Sequence, residues 1–168
     1  MSRLDSFIRR LEAQRACLDF AALLVRSLEG DVLELGLGNG RTYDHLRELF
    51  PHRKIYVCER SVAAHPDCIP PVEFLLLGDM RDTLNSVRGR LRGRVALAHL
   101  DPGTGDLAAS QTLAAQLTPL ITPLLCPGGI LVSEPTLISE ALVPLGLPKG
   151  VPAGRYNLYK CVSRPELA

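Results

Sequence analysis

Apolar side chains recur at three-and-four spacing through Leu4, Phe7, Ile8, Leu11, Leu18, Ala21, Ala22, Val25 and Leu28, the stripe of an amphipathic helix. The stripe thins around Gln14 and Arg15, so residues 4 to 28 read as one helix or two. Ser2 can cap the start, and Gly30 can end the segment in a left-handed turn. Beyond Gly30 the pattern changes to short apolar runs separated by polar stretches. Val32–Leu35, Lys54–Cys58, Phe74–Leu77, Val95–Leu100, Ile130–Ser133 and Tyr156–Val162 read as strands. Arg41–Phe50, Met80–Val87 and Leu107–Leu125 read as helices between them, the last kinked or shortened by Pro119 and Pro123. Strands that are apolar nearly throughout, alternating with helices, imply an α/β architecture in three layers. Its twisted, mostly parallel sheet is covered by helices on both faces. Residues 135–154, with Pro135, Pro144, Pro148 and Pro152 and glycines between, read as loops.

At 168 residues, 46% hydrophobic and 22% charged, the chain reads as one domain with one core. Residues 1–30 form its helical start, 31–133 its α/β core, and 134–168 its loops and last strand. A formal charge of +1 offers no field for nucleic acid or an anionic membrane, which favours a small-molecule partner. Cys17, Cys58, Cys68, Cys126 and Cys161 are scattered, without a C-x-x-C pair. They point to a reducing compartment, the cytoplasm, and to neither a disulfide framework nor a metal site. The N-terminus lacks a signal-like apolar core, and no stretch is apolar over the ~20 residues a membrane span needs. The basic run Arg88, Arg90, Arg92, Arg94 reads as a solvated loop; it precedes the fourth strand, on the edge opposite to where such sheets bind ligands.

The chemistry concentrates in Asp31-Val-Leu-Glu-Leu-Gly-Leu-Gly-Asn-Gly-Arg-Thr42, a strand, a glycine-rich turn and a helix start. Gly36, Gly38 and Gly40 allow a sharp turn and close approach of a ligand to the backbone. The amides of Arg41 and Thr42, at the helix start, suit an anionic group such as a carboxylate. A dinucleotide-binding turn spaces its glycines G-x-G-x-x-G; here the spacing is G-x-G-x-G, with Glu34 two residues before the first glycine. Glu59 closes the second strand, where a carboxylate can accept bonds from both hydroxyls of a ribose, and Arg60 follows it. Gly78-Asp79-Met80 closes the third strand, and Asp79 there also fits a helix cap.

These features resemble the class I S-adenosylmethionine-dependent methyltransferases, whose first motif has the form E/D-x-G-x-G-x-G. Leu125-Cys126-Pro127-Gly128-Gly129 resembles their L-x-P-G-G turn before the fifth strand. The resemblance covers about residues 31 to 133 and implies a Rossmann-like fold with strand order 3-2-1-4-5; a reduced ending is expected because only 35 residues follow Ser133. It also implies S-adenosylmethionine as methyl donor and S-adenosylhomocysteine as product. Glu34, Gly36, Gly38, Asn39, Gly40, Arg41, Thr42, Glu59, Arg60, Gly78, Asp79, Met80 and Asp101 are then the expected donor-binding residues, with Asp79 and Met80 beside the adenine. Asp101, at the end of the fourth strand, is also the candidate catalytic residue, able to hold the donor's amino group or take an acceptor's proton. The tetrad D-P-P-Y of some amino-group methyltransferases is absent; Asp101-Pro102-Gly103-Thr104 has no aromatic to stack a planar base.

Tyr43, Asp44 and His45 could touch the donor or acceptor, or serve the helix alone. His99 could be a packed core residue or face Asp101's side as a functional one. Other readings stay open: a protein that binds the donor without turnover, and a nicotinamide-dependent oxidoreductase. The N-terminal helix and residues 135–154 are the surfaces that could cover an acceptor or form a homo-oligomer. The acceptor, expected to be small, is not written in the pattern.

Overall fold

Ser2 accepts the amide of Asp5 at 3.0 Å while Asp5 accepts that of Ser2 at 3.0 Å, a reciprocal cap that starts helix α1, Arg3–Leu24. The computed structural model describes residues 2–102 and 105–162. The N-terminal stripe forms one helix, and it stops short of Leu28. Arg53 reaches back from the chain beyond to bond the carbonyls of Val25 (2.9 Å) and Leu28 (2.7 Å), satisfying acceptors that the helix no longer can. Gly30 then enters the sheet at φ +137°; a Cβ there would lie 2.5 Å from the Arg94 carbonyl oxygen.

The elements that follow are β1 Asp31–Leu35, α2 Arg41–Leu49, β2 Ile55–Glu59, β3 Leu75–Leu77, α3 Met80–Leu91, β4 Val95–Leu100, α4 Leu107–Ile121, β5 Leu125–Ser133, β6 Leu142–Pro144 and β7 Asn157–Cys161. The sheet runs β3-β2-β1-β4-β5-β7-β6, with β7 antiparallel to both of its neighbours and the other pairings parallel. Period-two alternation divides the core. Leu33, Leu35, Ala98 and Leu100 meet α3 and α4 through Leu84, Val87, Leu117 and Ile121. Val32, Val57 and Val132 meet α1 and α2 through Cys17, Leu18, Ala21 and Leu46 on the other face.

Three expectations are corrected. The ending is not reduced, because residues 135–154 contain β6. Leu142 is buried, the three-residue strand pairs with β7, and Pro144 closes an edge where a missing amide costs no ladder bond. Pro127-Gly128-Gly129 is not a turn before β5 but a bulge within it. Val95 pairs with Leu125 and Leu97 with Ile130, so the extra residues loop out at Gly128, φ +83°. The basic run is largely helical: Arg88 and Arg90 fill the last turn of α3, where cations suit the helix dipole, and Arg92 caps it. The helix expected over Leu107–Leu125 is shortened as its prolines imply: α4 carries Pro119 inside and ends at Ile121, and Pro123 sits in a short 3-10 turn beyond.

Candidate active site

The glycine-rich turn leaves β1 at Gly36, φ +100°, where a Cβ would stand 2.8 Å from the Asp101 carbonyl oxygen. The ends of β1 and β4 can therefore meet only through a residue without a side chain. Glu59, at the end of β2, holds the turn. Its Oε2 accepts the amides of Leu37 (2.8 Å) and Gly38 (3.1 Å), and its Oε1 those of Arg60 (2.7 Å) and Ser61 (3.1 Å). Four amides occupy the roughly four lone-pair directions of a carboxylate. Partial burial works to raise the Glu59 carboxyl, but these bonds overcome it and hold the group below its ordinary value. Gly40 caps α2 at φ +84° with no side-chain hydrogen bond, so the first amides of the helix have no capping side-chain acceptor.

The turn opens onto a cleft of about 520 Å³. Glu34, Gly36, Gly38, Asn39, Arg41 and Thr42 form its floor and one end. Glu59, Arg60, Asp79 and Met80 bound it from β2 and β3, and Asp101 from β4. The other two expected residues, Gly40 and Gly78, are not on its wall. Asp79 caps α3 through the Arg81 amide (2.9 Å) and pairs with Arg81 (3.2 Å) and Arg60 (3.4 Å). Those contacts keep its carboxyl below its usual range. Of the helix-start trio, Tyr43 is buried, Asp44 pairs with Arg47 and His45 with Asp19, and none lines this cleft. Gly103 and Thr104 lie outside the described residues.

Behind the cleft lies a chain of buried polar groups. The register of β1 against β4 sets Glu34 beside His99, both on the α1 side of the sheet. His99 Nδ1 lies 2.9 Å from Glu34 Oε2, with the two side chains 0% and 1% exposed. Burial raises the Glu34 carboxyl and opposes a charged His99, but Glu34 and Asp101 lift the imidazole above its ordinary value. The pair thus keeps a proton between its members. His99 Nε2 lies 3.3 Å from the Tyr156 hydroxyl, which donates to Asp101 Oδ2 at 3.1 Å. Burial keeps that phenol protonated. Gln14 (3.0 Å) and Arg10 (2.9 Å) donate to the same oxygen. Asp101 Oδ1, buried, has no hydrogen-bond partner among the described residues.

Arg10, Gln14 and Tyr156 were not among the residues expected from sequence. Phe7, Pro102 and Leu113, which add apolar wall, were not either. Gln14 carried a signal: it interrupts the apolar stripe of α1 but is 7% exposed, a polar residue turned inward toward a partner.

A family model described as S-adenosyl-L-methionine methyltransferase matches residues 1–161. The crystal structure of an S-adenosyl-L-methionine methyl transferase from Silicibacter pomeroyi DSS-3 is 45% identical and superposes with a TM-score of 0.92, covering 96% of this chain and 99% of that one. Two more distant structures share the fold. The MycE methyltransferase of the mycinamycin biosynthetic pathway, in complex with Mg and S-adenosylhomocysteine, is 16% identical with a TM-score of 0.53, over 82% of this chain and 42% of its own. The 16S rRNA (adenine(1408)-N(1))-methyltransferase from Catenulisporales acidiphilia is 14% identical with a TM-score of 0.50, over 89% and 93%. No curated protein matches.

Proposed function

The chain belongs to this S-adenosyl-L-methionine methyltransferase family, and from that premise we propose how its own residues hold the donor and where the acceptor meets it. It is an S-adenosylmethionine-dependent methyltransferase, so the nicotinamide and non-catalytic readings fall away. The residues fit the donor. The cleft lies within the roughly 300–1,000 Å³ of small-molecule sites, and at Gly38 a Cβ would meet nothing within 4 Å, so the turn leaves room above its backbone.

The α2 amides at Arg41 and Thr42 receive the donor's carboxylate, matching the positive end of an uncapped helix. Asp79 and Met80 flank the adenine, the carboxylate through Oδ2, because Oδ1 is committed to capping α3. Glu59 meets the ribose, but its four amide bonds leave no idle lone pair, so hydroxyls must displace or share the Arg60 and Ser61 amides. When bound, the donor supplies an electrophilic methyl group on a sulfonium sulfur. This chain supplies the walls that orient it and keep water away, with Asp101 Oδ1 at the reacting end. The single observation that carries the reading is the Glu59-pinned glycine turn opening onto one continuous cleft that ends at Asp101.

We read residues 2–162 as one such domain and the acceptor as a small molecule. Among the described residues no helix is long and apolar enough to cross a membrane. Burial raises the Cys17 and Cys58 thiols to about 11, as suits inert thiols, and we place the chain in a reducing cytoplasm. Calorimetric titration with S-adenosylmethionine and with S-adenosylhomocysteine tests the donor site. Binding with both is expected, and no heat at millimolar ligand would overturn it.

A further inference from the structure

Asp101, which lines the cleft, and Glu134, which lies beyond its lining, share one cation. Arg10 Nη1 stands 2.9 Å from Asp101 Oδ2 and 3.8 Å from Glu134 Oε1. Glu134 follows β5, its side chain is 23% exposed, and its carboxylate has no hydrogen bond among the described residues. Burial, and then the nearby Asp101 charge, push the Glu134 carboxyl above its ordinary value, as befits a carboxylate short of a cation. The Glu34–His99 pair adds no charge, because one proton between them leaves the pair neutral wherever it sits. Among the described residues the Asp101 end therefore carries one negative charge in excess, and Asp101 Oδ1 has no donor. The surrounding wall is apolar, through Phe7, Pro102 and Leu113.

Building on the donor placement above, we propose that the methyl acceptor is an amine carried on an apolar body, its nitrogen drawn to the paired carboxylates of Asp101 and Glu134. An ammonium brings three N–H donors and one positive charge, enough for both carboxylates. A carboxylate or phosphate acceptor would meet repulsion, and an alcohol would leave the excess charge unanswered. To react, the ammonium gives one proton to Glu134 and becomes a neutral amine. Its lone pair then forms the N–C bond while sulfur keeps the electron pair of the broken C–S bond, and the product is a methylated ammonium.

The test is calorimetry on the full chain loaded with S-adenosylhomocysteine. The probes are n-butylamine, benzylamine and phenethylamine, each matched with the alcohol and the carboxylate of the same carbon frame. At least one amine is expected to bind, with its alcohol and carboxylate weaker by about tenfold or more. Glu134→Gln is expected to weaken the amine about threefold to tenfold, with an unchanged unfolding midpoint showing that the variant folds. The proposal is overturned if no amine binds at millimolar concentration, if alcohol or carboxylate binds as well, or if E134Q binds amines like the wild type. If S-adenosylhomocysteine itself fails to bind, the donor placement is what fails. The amines are then titrated into the unloaded protein, and the same ranking decides.

Discussion

Replacing Glu59 by Gln keeps the size of the side chain but breaks half of what it does. The carboxylate accepts two amides on each oxygen. Gln retains one oxygen for two of them and turns an NH2 group on the other two, donor against donor. A hydrogen bond to a charged group contributes about 1.5–3 kcal/mol when dry, but this turn is partly wet and water replaces much of each lost bond. Two lost bonds then amount to about 2 kcal/mol, which for a domain of this size lowers the unfolding midpoint by about 4–8 °C. If binding must restore the turn, most of that cost reappears as about tenfold weaker donor affinity. Thermal unfolding and calorimetry with S-adenosylhomocysteine at neutral pH measure both. The sign with pH is fixed as well. The folded Glu59 titrates below its ordinary 4.5, so its contribution is present above that value and is lost as pH falls through the folded one. Wild type and variant should converge in acid. Equal midpoints at neutral pH, or a gap undiminished in acid, would show that Glu59 does not hold the turn.

Gly36→Ala places a Cβ 2.8 Å from a backbone oxygen at φ +100°. It is expected to cost about 2 kcal/mol or more and to abolish donor binding measurably by calorimetry. Wild-type stability measured by urea unfolding should fall as pH rises above 6.5 and through the raised folded value. Both Glu34 and His99 are raised above their ordinary 4.5 and 6.5, so the folded pair keeps a proton that the unfolded chain releases. The double variant Glu34→Gln, His99→Gln should lose this slope; a slope that survives it must come from other groups.

Most of the expected residues that line the cleft could be read in the chain because their signals are local. The turn, Glu59 and Asp79 each sit at the end of a strand that its own apolar run announces, and parallel topology gathers strand ends on one edge. Asp101 was expected, but the contacts that brace it were illegible because they are long-range. Arg10 and Asp101 are 91 positions apart, and Tyr156 and Asp101 are 55. No local pattern encodes a hydrogen bond closed by the docking of α1 on the sheet. His99 could not be assigned for the same reason: its pairing with Glu34 depends on the register of β1 against β4, which propensities do not fix. β6 was missed because composition argued for loops, while one buried leucine and a free ladder on β7 sufficed for three residues of strand.

The three donors that fix Asp101 come from residues 10, 14 and 156. A ribosome delivers Tyr156 more than a hundred residues after Arg10 and Gln14, and a domain folds as a unit once its parts have emerged. A nascent or prematurely stopped chain could present the glycine turn and yet leave Asp101 unbraced by Tyr156. Occupancy by the donor would then precede competence, and the step that braces Asp101 would wait on the pairing of β7 with β5.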